Sequence, residues 1–304
     1  MEQVKLMSWI ILGLVSAKGI SALSKPRVDW VRNFAFSYLT PCLFFSSVYR
    51  ADLANLPSAQ VLATYALCFG GLFIVLRFWL TKYVRDTLSA SNIKAISALY
   101  PNAVGVGVPV VFALYGTEAE LILMGIVVTN LLVVLPLINV LMIRSGERGF
   151  YSYRKVATDP ILLSIVGGIT LNVWGIELNS GFVSGLAHIG WIALPVILFI
   201  LGASLSFYSF NSLAQEKIGA LLIVKIVIFP VLTLLAAHYV FHLSLLETQV
   251  LVLLASLPTG VNVYLLSERY QVAKEATAGV ILFTTISSLV SLFGWEKVLQ
   301  HWAV

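Results

Sequence analysis

The stretch YPNAVGVGVP, residues Tyr100 to Pro109, decides how this chain folds. Strongly apolar sequence flanks it on both sides, yet its centre carries two prolines, an asparagine and two glycines. Proline removes a backbone donor and clashes with the preceding turn, and glycine frees the dihedrals, so residues 101–108 are expected to be unwound. Pro109 then suits the first turn of a new half-helix. Irregular backbone at membrane depth is tolerated only where protein buries it or it lines a wet cavity.

Composition fixes the class of the flanking sequence. The chain has 304 residues, 59% hydrophobic and 11% charged, and its mean hydropathy is +0.95. No soluble globular domain has this composition. Polar breaks divide it into about ten apolar segments, near 6–23, 31–49, 59–81, 91–115, 119–143, 160–176, 186–207, 217–240, 247–267 and 276–296, each close to the ~20 residues a membrane-spanning helix needs. An all-α polytopic membrane protein with ten transmembrane helices is expected. The first segment has only Lys5 in front and no small-x-small cleavage pattern, so it reads as a retained helix rather than a signal peptide. Cys42 and Cys68 both fall in apolar runs and act there as small hydrophobes, with no disulfide expected.

Positive charge orients the spans. Lys18, Lys25, Arg27 and Arg32 flank the first loop, Lys82, Arg85 and Lys94 the third, and Arg144, Arg148, Arg154 and Lys155 the fifth; Lys217 marks the seventh, Arg269 and Lys274 the ninth. Alternate loops carry Arg50 or the acidic Glu118, Glu120, Glu177 and Glu247. The odd loops therefore face the cytoplasm and both termini lie outside, in an integral inner-membrane protein. The net charge of +5 is dispersed over separate loops, which excludes a nucleic-acid partner, since that needs a basic face.

A repeat follows. Pro41 in LTPCLFF (39–45) matches Pro195 in ALPVILF (193–199), about 154 positions on, and Pro101-Asn-Ala-Val-Gly matches Pro258-Thr-Gly-Val-Asn262 at about 157. Five spans per half is an odd number, so the second half enters the membrane from the opposite side. The reading is a 5+5 inverted repeat, 1–143 and 160–304, joined by a short cytoplasmic linker at 144–159. Inverted repeats with one broken helix each point to secondary transporters whose substrate sits near the midplane where broken helices 4 and 9 cross.

Each break leaves one free helix N-terminus near the bilayer centre, carrying about +0.5 charge and unpaired N–H groups. Two such ends and the amides of Asn102 and Asn262 would accept a carboxylate without a charged side chain. The candidate substrate-binding residues are Pro101, Asn102, Ala103, Gly105, Gly107 and Pro109 with Pro258, Thr259, Gly260, Asn262 and Tyr264. The alternative for an isolated motif is a packing kink; the second copy, also with an asparagine, argues against it.

These motifs resemble the auxin efflux carrier family: Pro101-Asn with Gly107 and Pro109 on span four, Leu194-Pro and Leu201-Gly-Ala-Ser-Leu on span seven, and Leu257-Pro-Thr-Gly-Val-Asn-x-Tyr264 followed by Glu268-Arg-Tyr270. The resemblance covers the whole chain at the level of ten spans. It implies a fold shared with bile-acid and sodium/proton transporters, in which spans 1, 2, 6 and 7 form a scaffold and spans 3–5 and 8–10 a mobile transport domain. It further implies elevator-like alternating access, organic-anion transport and a homodimer through the scaffold. The short link between halves is that of compact, prokaryotic-type members, whose substrates include dicarboxylates such as malate or malonate. Plant members tend to have a second proline in span nine, where this chain has Val263.

Supporting residues are drawn from the remaining polar groups inside spans. Lys225, in span eight, would balance an anionic substrate, pair with a helix C-terminus, or snorkel to the surface. Asn130 and the Thr284-Thr285-x-Ser287-Ser288 cluster would line the path, hold sodium, or make interhelical hydrogen bonds. No Asp or Glu lies in the middle of a span, so coupling to protons or sodium has no evident carrier, and no cofactor is expected. His238 and His242 have no third ligand, so no metal site is expected. An enzyme is excluded by the lack of HExxH, GxSxG or Walker motifs and of any converging acidic, His or Cys cluster. A passive channel lacks the polar stripe it needs. A non-transporting membrane sensor or scaffold that keeps the carrier fold is the alternative; it would bind without flux.

Overall fold

A computed structural model describes residues 2–19, 24–50, 57–145, 160–205 and 218–302. Most of the expected linker at 144–159, Lys217, and the distal ends of the first and seventh spans lie outside these residues. The described chain is helical, with one isolated antiparallel bridge and no strand. In order the helices are α1 (Glu2–Gly19), α2 (25–49), α3 (Ala59–Val84), α4 (Leu88–Ser97), α5 (Ala103–Tyr115), α6 (Leu121–Ser145), α7 (Pro160–Val173), α8 (Ser180–Leu205), α9 (Gly219–Val240), α10 (Leu245–Ser256), α11 (Val261–Tyr270) and α12 (Lys274–Trp302). Helices α3, α6 and α9 run for 26, 25 and 22 apolar residues, enough at about 1.5 Å per residue to cross ~30 Å of hydrocarbon. The chain is an integral membrane protein. Helix α12 bends by 54° around residue 289.

Prolines set the winding at four places in these helices. Turns of π-helix at Ala35–Leu39, Ala103–Gly107, Asn130–Val134 and Val224–Ile228 each end two residues before a proline, namely Pro41, Pro109, Pro136 and Pro230. A proline ring clashes with the carbonyl four residues back and offers it no N–H; a wider turn relieves the clash. In α9 the carbonyl in question is that of Ile226, and the Trp295 indole N–H of α12 donates to it at 2.9 Å.

The chain divides into two compact units: Met1–Gln3 with Asn55–Thr129 and Phe210–Val304, and Val4–Ala54 with Asn130–Ser209. In the second unit α2 is held against α7 and α8 by backbone-to-backbone approach. A methyl group at Gly168 would lie 3.0 Å from the Phe45 carbonyl oxygen, and one at Gly190 would lie 2.6 Å from Leu43 Cα. Gly13 of α1 sits against the Phe199 carbonyl of α8 in the same way. Small residues that let helix backbones touch are the usual basis of packing in lipid, where no hydrophobic force separates helix from solvent. The end of α2 is then capped from α7 and its loop: Asn172 Nδ2 donates to the carbonyls of Val48 and Tyr49 at 3.1 and 2.8 Å, and the Tyr49 hydroxyl donates to Ile176 O at 3.0 Å.

The first unit is built around α4 and α10, whose side chains from Ser91 to Tyr100 and from Val250 to Gly260 are all buried. Tyr65 and Phe69 of α3 pack against Phe229 of α9, tilted and edge-on, with ring centroids 6.4 and 6.3 Å away. Ser244 and Glu247 form a capping box at the start of α10, and Glu247 also accepts from Ser58, the N-cap of α3, at 3.0 Å. One carboxylate thus serves two helix N-termini, where negative charge is favoured.

A paired substitution in α8 tests the close packing of the second unit. Gly190→Ala should destabilise it by about 1–3 kcal/mol through overpacking. Gly185→Ala, where an added methyl meets nothing within 4 Å, should be neutral or stabilising by up to ~1 kcal/mol through helix propensity. Thermal unfolding of the two variants in detergent reads the difference.

Candidate functional site

The candidate site lies wholly in the first unit, where the chain between α4 and α5 meets the chain between α10 and α11. Helix α4 stops because Tyr100 precedes Pro101, and a residue before proline is driven out of helical conformation. Helix α10 stops likewise at Leu257, extended at ψ 151° before Pro258. The two extended pieces lie antiparallel, with Pro101 facing Thr259. Asn102 N–H donates to the Pro258 carbonyl and Gly260 N–H to the Tyr100 carbonyl, both at 2.9 Å. In this register the facing residues, Pro101 and Thr259, are the pair that exchanges no hydrogen bond. Proline at 101 therefore costs the bridge nothing.

Every other group exposed by the break at α4 also needs a partner, because an unpaired backbone carbonyl in a dry interior costs several kcal/mol. The Ile96 carbonyl accepts from Leu99 and Tyr100 N–H. Ser97 O accepts from the Thr259 hydroxyl at 2.6 Å, and Leu99 O from the Lys225 ammonium at 3.0 Å. Thr259 N–H donates across to the Thr284 hydroxyl of α12 at 3.1 Å. The Ser97 and Tyr100 carbonyls at one break thus take their donors from the other, with α9 and α12 adding a side chain each.

The two new N-termini differ. On the α5 side Asn102 acts as a cap: its carbonyl accepts from Val106 and Gly107 N–H at 3.0 Å each, and its side-chain oxygen accepts from Gly105 N–H at 3.2 Å. Residues 103–107 are consequently wound as π-helix. The unwinding expected over 101–108 is confined to the residues before Ala103, because the main-chain and side-chain oxygens of Asn102 together engage the first N–H groups. Pro109 follows in the first turn of Val108–Tyr115, and Gly107 leaves room for Leu257, whose Cδ1 would be 2.9 Å from a methyl group there. On the α11 side the N-cap is Gly260, which has no side chain to cap the helix.

Burial picks out two residues. From Ser91 to Ala103 every side chain is buried except Asn102, and from Val250 to Glu268 every one is buried except Asn262. Both asparagines are half-buried. Asn262 Nδ2 donates to the Tyr100 hydroxyl at 3.2 Å. Lys225 is 1% exposed, lies over the Phe229 ring with Nζ 5.2 Å from its centroid, and forms no ion pair among the described residues. It has not snorkelled.

Of the residues singled out from sequence, Pro101, Asn102, Ala103, Gly105, Gly107, Pro258, Thr259, Gly260 and Asn262 come together at this crossing, with Lys225 bonded to it. Tyr264 is buried one turn further along α11. Thr285 does not reach the crossing: its hydroxyl bonds back to Ile281 O at 2.6 Å, and its neighbour Thr284 makes the contact instead. Asn130 belongs to the second compact unit, where it is buried. Tyr100, Ser97 and Thr284 join the crossing without having been singled out, although Tyr100 and Thr284 stood in the motifs already quoted.

The described chain is thus a helical membrane protein in which two chain breaks, after α4 and after α10, bond to each other. The model of the family described as "Membrane transport protein" matches residues 1–296, and the chain belongs to this family, that of the auxin efflux carriers. It is similar to a protein of Rhizobium meliloti (strain 1021) named "Putative malonate transporter", with 25% identity over 311 residues, covering 97% of this chain and 94% of the relative. It is also similar to an "Uncharacterized transporter" of Methanothermobacter thermautotrophicus (strain ATCC 29096 / DSM 1053 / JCM 10044 / NBRC 100330 / Delta H), with 24% identity over 293 residues and 95% of each chain covered. The chain is a transporter rather than an enzyme.

The carbonyl inventory gives a stability test. Thr259→Val keeps the shape of the side chain and leaves the buried Ser97 carbonyl without its donor, which should cost about 1–3 kcal/mol. Thr259→Ser should recover most of the loss, as read by thermal unfolding in detergent.

Proposed function

We propose that the chain is a secondary carrier of small organic anions, with a substrate carboxylate held at the crossing of α5 and α11. The observation that carries this reading is that Asn102 and Asn262 are half-open in runs that are otherwise buried from Ser91 to Ala103 and from Val250 to Glu268, beside a lysine that has no acidic partner among the described residues. Because Gly105 N–H engages the side-chain oxygen of Asn102, the amide N–H groups of that residue are left to donate to a carboxylate. The first turn of α11, whose N-cap Gly260 has no side chain to cap it, adds backbone N–H groups and the positive end of its dipole. Lys225 supplies the balancing charge at the price of desolvation that an anion would offset.

The remaining residues give the crossing its shape. Pro101, Pro109 and Pro258 break or restart the helices, Ala103, Gly105, Gly107 and Gly260 allow close approach, and Thr259 and Tyr264 line the buried side. The name of the Rhizobium relative makes malonate, a dicarboxylate, the first substrate to try.

For translocation, spans 3–5 and 8–10, which carry the whole crossing, move as one body in an elevator-like alternating-access cycle. Spans 1, 2, 6 and 7 act as scaffold and as the surface of a homodimer. In this reading the protein is a ten-span 5+5 inverted repeat with broken helices 4 and 9 and both termini extracytoplasmic. The driving gradient, of protons or sodium, is read from the assay below.

Uptake of labelled malonate and a panel of other mono- and dicarboxylates into proteoliposomes, with imposed sodium or proton gradients, tests the proposal. Asn102→Ala removes a donor to a charged group and should lower uptake at subsaturating substrate by at least about tenfold. Wild-type-like uptake in that variant would falsify the site. Lys225→Met should reduce uptake at least as much, since the anion then enters a site without balancing charge.

A further inference from the structure

We infer that Tyr100 is the positioning residue whose hydroxyl orients the Asn262 side chain toward the substrate; this rests on the reading of the crossing as an anion site. Tyr100 is 3% exposed and meets α11 at three points. Its carbonyl accepts from Gly260 N–H at 2.9 Å. Its ring covers Gly260 so closely that a methyl group there would lie 2.7 Å from Cδ1 and 3.0 Å from Cε1. Its hydroxyl accepts from Asn262 Nδ2 at 3.2 Å. The first two contacts are made by main chain and ring, so phenylalanine would keep them. Only the third belongs to the hydroxyl.

That third contact decides what Asn262 offers a ligand. A primary amide has two N–H donors and one carbonyl acceptor on opposite edges of one plane. With one donor on Tyr100, the plane is fixed, and the second N–H and the carbonyl oxygen are what remain for a substrate at this half-buried position. Asn102 is oriented by a different device, the Gly105 N–H on its side-chain oxygen. The two asparagines of the repeat are therefore held by unlike partners, one by backbone and one by a side chain. Without the hydroxyl the Asn262 amide turns freely, and for part of the time it presents its oxygen to the carboxylate. The resulting loss falls on binding, because an unordered group must be ordered when substrate arrives.

The test uses the full chain in proteoliposomes with labelled malonate as probe. Tyr100→Phe should raise KM about five- to tenfold, the equivalent of one hydrogen bond, with Vmax and the thermal unfolding midpoint essentially unchanged. In an Asn262→Ala background the same substitution should produce no further rise. An unchanged KM, a fall in Vmax alone, or an undiminished KM effect in the Asn262→Ala background would each overturn the assignment. If the wild-type protein carries neither malonate nor any other carboxylate, the anion reading fails, and the positioning role is judged without substrate. The side-chain amide protons of Asn262, followed by NMR, should then exchange faster in Tyr100→Phe while the backbone amides of residues 105–109 are unaffected, and equal exchange at the Asn262 side chain would reject it.

Discussion

A helix interrupted where no water reaches leaves carbonyl and N–H groups that must find partners inside the protein, and the rest of the first unit is arranged around that requirement. The two interruptions answer each other. Tyr100 and Pro258 lend carbonyls, Gly260 and Asn102 return N–H groups, and the Thr259 hydroxyl closes on Ser97. What the pair cannot supply comes from neighbours: a lysine from α9 for Leu99 and a threonine from α12 for Thr259. Removing any one of these groups leaves another without a partner.

The same rule operates more quietly along the unbroken helices. Proline withholds an N–H in α9, the turn before it widens, and an indole from α12 reaches the Ile226 carbonyl. The second unit is held by a different means. Glycines at 13, 168 and 190 bring backbones into contact, and amide and phenol groups close the end of α2 against α7. One unit is thus locked by polar exchange at a break and the other by the absence of side chains at helix contacts.

Much of this was legible in the sequence, for identifiable reasons. Composition and the spacing of charge announce membrane helices, since hydrocarbon excludes nearly everything else. Pro101 and Pro258 locate the breaks because proline acts on its immediate neighbours. Asn102 and Asn262 stand out as amides in apolar surroundings. The partners do not announce themselves: Lys225 lies 126 positions from Leu99, and Thr284 lies 25 from Thr259. Choosing Thr284 over Thr285 depends on the facing of α12, which a hydrophobic pattern this uniform does not fix. The π-helical winding of 103–107 escapes for a similar reason, as it depends on Asn102 serving as cap and acceptor together. The compact units each draw on both halves of the chain, so a repeat read along the sequence does not outline them.

The joint between Pro101 and Thr259 is made by main-chain atoms on both sides. Such a fastening draws on neither side chain of the facing pair: the bonds run from the residue after each to the residue before the other. The two half-helix starts are therefore aligned by main chain, and the side chains around the joint are free of that task.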